Sequence, residues 1–358
     1  MSVNQPPVRA GVKPTRVSLV AVPEGGVSSL SGIYDVINAC SIVDSSGRGG
    51  AAGPPFHVEI VGERKGWLDL ASGIPFHVQR PIAEIAAADV VIVPSVLLQP
   101  GGWPTDRHAA LVDWLRSMHE RGAILCSACS GVFVLAETGL LDGQDVTVHY
   151  GYAREFAATF PAVSIHPEQA LVVSGRREEF VSSGASTSWH DLVLYLIARF
   201  AGSATAQSAA RFFALQWHQD GLAPYIVFEG RRDHGDREVL AAQQWLSRHF
   251  SVANPVEEML KRSTLAASTF KRRFTTATGL TPIVYVQRLR IEDAKRRLER
   301  TAVPVDEIGW QVGYEEPAFF RRLFKRTTGV TPGAYRRRFQ LPGFSPSIKE
   351  SGRLPRRG

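Results

Sequence analysis

Short, almost uninterrupted apolar runs alternate with amphipathic stretches over the first two hundred positions of the chain. Arg16–Pro23, Phe56–Val61, Val90–Pro94, Ala123–Cys126 and Leu171–Ser174 are mostly apolar. They read as short strands buried on both faces. Between them, Ser31–Cys40, Asp106–Arg121, Gly131–Glu137, Tyr152–Phe160 and Ser186–Phe200 have helical patterns, and Ala204–Leu215 adds one more. This order predicts an α/β domain with a largely parallel sheet and helices on both faces. A small-molecule site is expected at the carboxyl ends of its strands.

The pattern lapses in Gln216–Asp236, where DGLAP and GRRDHGD supply turn formers without periodicity. From Arg237 it is purely helical, with proline at helix starts and glycine near helix ends. The expected organisation is a disordered start (1–14), an α/β domain (15–215), a linker (216–236), an all-α domain (237–340) and a disordered basic tail (341–358). The glycine-rich stretch Gly47–Gly53 matches neither phosphate-loop pattern and reads as a flexible loop.

An internal repeat carries the strongest signal. Thr269–Arg288 and Phe319–Arg338 share nine of twenty residues at an offset of 50: Phe270/Phe320, Arg272/Arg322, Phe274/Phe324, Thr278/Thr328, Gly279/Gly329, Thr281/Thr331, Pro282/Pro332, Tyr285/Tyr335 and Arg288/Arg338. Each copy reads as helix, turn, helix: Val256–Arg262 into Ser268–Thr276, and Val305–Val312 into Pro317–Thr328. Phe at i and i+4 marks the buried stripe, and Gly279 and Gly329 mark left-handed caps. The opposite faces carry Lys271, Arg272 and Thr275, and Arg321, Arg322 and Lys325. Such faces suit base edges and phosphates of double-stranded DNA. Pro282–Arg300, a helix of about 28 Å at 1.5 Å per residue, is a rod able to hold two recognition helices about one DNA turn (~34 Å) apart.

Charge sharpens that reading. Residues 1–236 hold 17 Lys/Arg against 23 Asp/Glu, residues 237–340 hold 20 against 10, and residues 341–358 hold 4 against 1, which together give the net +7. An acidic two-thirds joined to a basic third implies a polyanionic partner for the second domain. No apolar run reaches the ~18 residues that cross a bilayer, so no membrane partner is expected. Three cysteines cannot build a disulfide framework, and their odd number fits a reducing cytoplasm. The ten histidines show no metal-ligand spacing, and neither metal nor cofactor is expected.

Phe270–Leu298 and Ile308–Arg336, with FKRRF…TGLTP and FFRRLF…TGVTP, resemble the AraC-type DNA-binding domain with its two helix-turn-helix units. The resemblance implies that Ser268, Thr269, Lys271 and Arg272 enter one major groove and that Ala318, Arg321, Arg322 and Lys325 serve the next. Pro317 and Ala318 are short where a base-reading side chain could sit, so the second copy is expected to read less sequence than the first.

In the first domain, AILCSACS (Ala123–Ser130) running into GVFVL (Gly131–Leu135) reads as strand, sharp turn, helix, with Cys129 at the turn. A helix N-terminus there is expected to lower the thiol pKa, as in a nucleophile elbow. Cys126–Tyr150 and Ser182–Leu196 resemble the ThiJ/PfpI class, relatives of class I glutamine amidotransferases with a flavodoxin-like fold, and fusion to an AraC-type module resembles the GlxA family of regulators. Where relatives place a histidine after the cysteine this chain has Ser130, and where many place an acid after the first strand it has Ser29. His149 matches a histidine near the elbow in some relatives. The resemblance therefore implies a degenerate pocket (Cys129, Ser130, Ser29, His149) that binds an unidentified small effector rather than a catalytic site, and a homodimer formed through this domain. Two alternatives remain at this point. One is an isonitrile-hydratase- or glyoxalase-like enzyme using Cys129 with a DNA-binding appendage; the other is a nonspecific DNA binder.

Overall fold

A computed structural model describes residues 13–43, 54–98 and 102–341. Gly47–Gly53 and nearly all of both ends expected to be disordered lie outside them. The chain forms two compact units, residues 1–226 and 227–358. The first contains, in order, β1 (Thr15–Val20), α1 (Val27–Asn38), α2 (Cys40–Val43), β2 (Phe56–Gly62), β3 (Gly66–Asp69), β4 (Pro75–Val78), β5 (Arg80–Pro81), β6 (Val90–Val93), α3 (Ala109–Glu120), β7 (Ile124–Ala128), α4 (Val132–Ala136), β8 (Asp145–Val146), α5 (Ala153–Thr159), β9 (Ser164–Ile165), β10 (Leu171–Ser174), β11 (Phe180–Ser183), α6 (Trp189–Ala201) and α7 (Ser203–Phe212).

Seven strands form one sheet in the order β10-β11-β7-β6-β1-β2-β5. All neighbours are parallel except β10, which runs against β11. Adjacent residues of the central strands serve different cores: Val20, Val61 and Val91 pack on one face with Leu115, Phe133 and Phe156. Leu19, Ile60 and Ile92 pack on the other with Ile33, Leu192 and Ile197. This is why β6 (VVIV) is continuously apolar: period-2 geometry sends each residue to one of two buried faces. Two features have weaker patterns. In β11 (FVSS) every residue is buried, but its serines disguise the strand; Ser182 Oγ accepts from the amide of Thr147 at 2.8 Å. The β3–β4 hairpin pairs Gly66–Asp69 with Pro75–Val78 outside the main sheet.

The second unit contains α8 (Arg237–His249), α9 (Pro255–Lys261), α10 (Ala267–Thr278), α11 (Pro282–Arg300), α12 (Val305–Gln311), α13 (Pro317–Thr328) and α14 (Pro332–Phe339). It has two small cores, one around Phe270, Phe274 and Tyr285 and one around Phe320, Phe324 and Tyr335. The sequence repeat is a repeat of packing. Phe274 meets Tyr285 edge-on at 5.3 Å and Phe324 meets Tyr335 edge-on at 5.5 Å. The hydroxyls of Thr278 and Thr328 donate to the carbonyls of Phe274 and Phe324 at 2.7 and 2.9 Å. Gly279 and Gly329 follow in the left-handed region, with φ of 75° and 79°, and Pro282 and Pro332 open the next helices.

Residues 216–236 contain no helix or strand, yet they are not a free tether. The backbone N–H and Nδ1 of His218 reach the two carboxylate oxygens of buried Asp191 at 2.8 and 2.6 Å, and Leu222 is buried. At the other end Asp236 caps α8 through the amide of Val239 at 3.2 Å and grips Arg273 with both oxygens at 2.9 Å.

Candidate functional site

Two sets of residues were expected to carry chemistry, one in each unit. In the first, β7 enters a turn at Cys129, which has a φ of 52°, a left-handed conformation costly for a side chain with a Cβ. The short 3-10 turn Cys129–Gly131 then leads into α4. Only glycine fits at 131: a Cβ there would stand 2.4 Å from the carbonyl oxygens of Val93 and Pro94 at the end of β6. The elbow is thus wedged against the neighbouring strand.

The chemistry at the elbow differs from the expected lowered thiol pKa. Cys129 is buried, and loss of solvent raises its pKa above the ordinary thiol value. Hydroxyl groups of Ser130, Ser186 and Ser95 beside the sulfur oppose that shift without reversing it. The following helix has five residues, too short a dipole to offset the burial. Cys126 is also pushed up by burial.

The remaining members of the expected pocket have backbone partners. Ser130 Oγ donates to the carbonyl of Val96 and accepts from the amide of Val96 at 3.0 Å. Ser29 Oγ accepts from the amide of Ser95 and donates to the carbonyl of Gly26, both at 3.1 Å. The two serines therefore fix the segment Ser95–Val96, whose Ser95 hydroxyl lies by the thiol. His149 Nδ1 accepts from the amide of Gly151 at 3.1 Å, its ring stacks on Tyr150, and burial lowers its pKa. Tyr152 lies 5.5 Å from the His149 ring and near Cys129, and burial raises its pKa. It is the neighbour they share, and sequence reading passed over it.

A buried thiol with a raised pKa is a slow nucleophile. Iodoacetamide labelling of Cys129 in the native chain at pH 7.5 is expected to run well below the rate of a free thiol, and to rise only at pH values above the ordinary thiol range. Peptide mass spectrometry across a pH series checks this; fast labelling at neutral pH would contradict it.

In the second unit, Ser268, Lys271 and Arg272 on α10 are exposed and Thr269 is half-buried, while Ala318, Arg321, Arg322 and Lys325 on α13 are all exposed. The two helices present their basic faces outward because Phe270, Phe274, Phe320 and Phe324 are fully buried. The copies differ in three ways. Gly313 turns with a φ of 97° between α12 and α13, whereas its counterpart Ser263 keeps a negative φ. Arg273 is held by Asp236. Arg321 is held by Asp306, its guanidinium reaching Oδ1 and Oδ2 at 2.5 and 2.6 Å. Of the two arginines assigned to the second groove, Arg322 is therefore the one without an intramolecular ion pair among the described residues.

Asp306→Ala is expected to release Arg321, tightening binding to any duplex a few-fold and steepening the log-log salt dependence by about one phosphate contact (~0.9). Filter binding at several salt concentrations measures both. Weakened binding instead would mean that the pair holds α12 and α13 in their docking geometry.

A sequence reading also missed Arg290, midway along α11. Its Nε donates to the carbonyl of Phe250 at 2.7 Å and its two terminal nitrogens donate to Gly313 at 2.7 Å and Val252 at 2.9 Å. The guanidinium lies 4.9 Å from the ring centre of Tyr314. One side chain on the linking helix thus ties the segment between α8 and α9 to the turn of the second helix-turn-helix. Gly313 makes room for it, because a Cβ there would meet the guanidinium at 2.8 Å.

Family models match both regions. Residues 51–198 match the DJ-1/PfpI family, and residues 259–338 match a helix-turn-helix domain. The chain joins a DJ-1/PfpI domain to a helix-turn-helix domain. It is similar to the HTH-type transcriptional regulator CdhR of Pseudomonas aeruginosa, 27% identical over 256 residues that cover 69% of this chain and 74% of CdhR. It is also similar to the HTH-type transcriptional regulator GlxA of Rhizobium meliloti, 26% identical over 249 residues, 68% of this chain and 75% of GlxA. A solved structure of an AraC family transcriptional regulator from Pseudomonas putida aligns with 56% of this chain and all of its own, at 17% identity and a TM-score of 0.47. Among the described residues, no helix is long and apolar enough to cross a membrane, and no group of three His, Cys, Asp or Glu side chains is placed to hold a metal ion.

Proposed function

We propose that the chain is a cytoplasmic, sequence-specific regulator of transcription that binds double-stranded DNA through α10 and α13 and acts as a homodimer. Residues 15–215 are its sensor half, 237–340 its DNA-binding half, and 216–236 the connection. One observation carries the reading. Most identities of the repeat are used inside the fold, as buried aromatics, caps and helix-opening prolines. Arg272 and Arg322 are not: they are exposed at equivalent positions of two recognition helices, with no intramolecular ion pair among the described residues. A repeated residue that is exposed and without an ion pair is available to something outside the chain, and here that is a phosphate or a guanine edge.

The sensor half binds a small effector in the pocket of Cys129, Ser130, Ser29 and His149, and the effector acts by favouring one of two arrangements of the chain. The alternative of a ThiJ/PfpI-type enzyme requires a thiolate; burial favours the thiol, and the hydroxyl neighbours do not reverse that.

The test is selection from a genomic fragment library at ~150 mM salt, near physiological ionic strength, with sequencing of the retained DNA. Enrichment of two short blocks about one helical turn apart is expected. Retention without enrichment would reduce the protein to a nonspecific binder, and no retention would overturn the reading.

A further inference from the structure

The loops that follow β1 and β2 enclose a cavity of about 330 Å3 that shares no residue with the surroundings of Cys129 described above. Its floor is apolar: Ala21, Val22, Leu68 and Val78. One wall is fixed by a buried carboxylate. Glu24, 7% exposed, receives Arg107 on Oε1 and His108 Nε2 on Oε2 at 3.1 Å, and His108 is itself 4% exposed. The other nitrogen of His108 faces Glu63 Oε1 at 4.0 Å. Both oxygens of Glu24 are thus spent, and the wall is set before any ligand arrives.

The rim is not satisfied in the same way. Arg64 and Lys65 are exposed and make no ion pair among the described residues. With Glu24 neutralised by Arg107, these two cations face the single carboxylate of Glu63, leaving a positive surplus at the mouth. Beside them Trp67 is 76% exposed, its ring supported edge-on by His77 at 5.3 Å. An indole that bare, bordering an apolar floor, is surface that gains by being covered. The position is where open α/β sheets accept ligands, outside the carboxyl ends of parallel strands.

We propose that this cavity is a second ligand site of the sensor half, taking a small carboxylate with an apolar or aromatic body. The carboxylate pairs with Arg64 and Lys65, and the body lies between Trp67 and the floor of Ala21, Val22, Leu68 and Val78. A volume of this size suits a ligand of about ten heavy atoms, at the small end of the range for binding pockets. Glu63 excludes a second negative charge and accepts from any donor on the ligand. The regulatory consequence, that the ligand shifts DNA affinity, rests on the reading of this unit as a sensor; binding itself does not.

Isothermal titration of the full chain with benzoate and 3-phenylpropionate, against benzamide and benzylamine as neutral and cationic controls, tests the site. The carboxylates are expected to bind at least about tenfold more tightly than the controls (~1.4 kcal/mol). The double variant Arg64→Ala/Lys65→Ala and the single variant Trp67→Ala are each expected to lose about tenfold or more, and Cys129→Ser to bind as the parent does. The first three positions are exposed, so the fold is expected to survive. The proposal is overturned if neither carboxylate binds up to millimolar concentration, if the controls bind equally, or if the double variant binds unchanged. Loss in Cys129→Ser with the double variant intact would put the ligand at the elbow, overturning this site while leaving the effector reading in place.

Discussion

Arg290→Met is expected to destabilise the second unit by about 2–4 kcal/mol, because three carbonyls lose a charged donor and hydrogen bonds to charged groups contribute ~1.5–3 kcal/mol each before water re-enters. Hydrogen exchange along α11 and α12 in the full chain reads that loss locally, without requiring two-state unfolding of a two-unit protein. Arg290→Lys should recover only part of it. An ammonium is a point donor, whereas the guanidinium fork meets the carbonyls of Phe250, Val252 and Gly313 at once. Burial lowers the Arg290 pKa, but an arginine stays charged under any ordinary condition. The cost of burying that charge is offset by the three carbonyls and the ring of Tyr314.

The larger consequence concerns DNA. Two helix-turn-helix units on one chain bind a two-block site far more tightly than either alone only if the second is held where the first has placed the DNA, which is an effective-concentration effect of ~10²–10⁴. Freeing the turn at Gly313 from the end of α8 should lower affinity for a two-block duplex by about a hundredfold and affinity for a one-block duplex by much less. Equal losses on both duplexes would show that Arg290 serves folding and not spacing.

The sequence exposed the elements whose cause is local and hid those whose cause is distant. α11 and α13 open at the prolines that predict them and α13 stops at Gly329, since caps act within one turn. The doubly buried strand β6 was visible because each residue meets one of two cores. β11 was not, because its serines have partners such as Thr147, 35 positions away. Arg290 stands among Arg288, Lys295, Arg296 and Arg297, of which Lys295 is buried too, and nothing local marks Arg290 as the tie; only the approach of Phe250 and Gly313 does. Glu24 and His108 are likewise joined across 84 residues. At the elbow the turn was legible and the thiol's raised pKa was not, since burial depends on everything packed around Cys129. The serines at 29 and 130 were correctly noticed as departures, but their hydrogen bonds to Gly26, Ser95 and Val96 appear only in the fold.

Arg272→Ala and Arg322→Ala, combined, are expected to reduce affinity for the selected duplex by 10²–10⁴, with ~1–3 kcal/mol from each arginine if it reads a base. The two positions lie on different helices of different subdomains, so their costs should add within ~0.5 kcal/mol. The singles separate roles that the double cannot. A base-reading arginine, once truncated, lets the protein tolerate substitutions at one position of one block; a phosphate-binding arginine weakens all duplexes alike and lowers the salt slope by about one. Arg272 sits with exposed Ser268 and Lys271 on α10, whereas Arg322 sits near Ala318 and an Arg321 already held by Asp306. The first arginine has polar neighbours to fix its aim over a base pair, and the second has few. Relaxed specificity is therefore expected from Arg272→Ala in the first block, and a more uniform loss from Arg322→Ala. The reverse assignment would mean that α13, despite its short Pro317 and Ala318, is the principal reader.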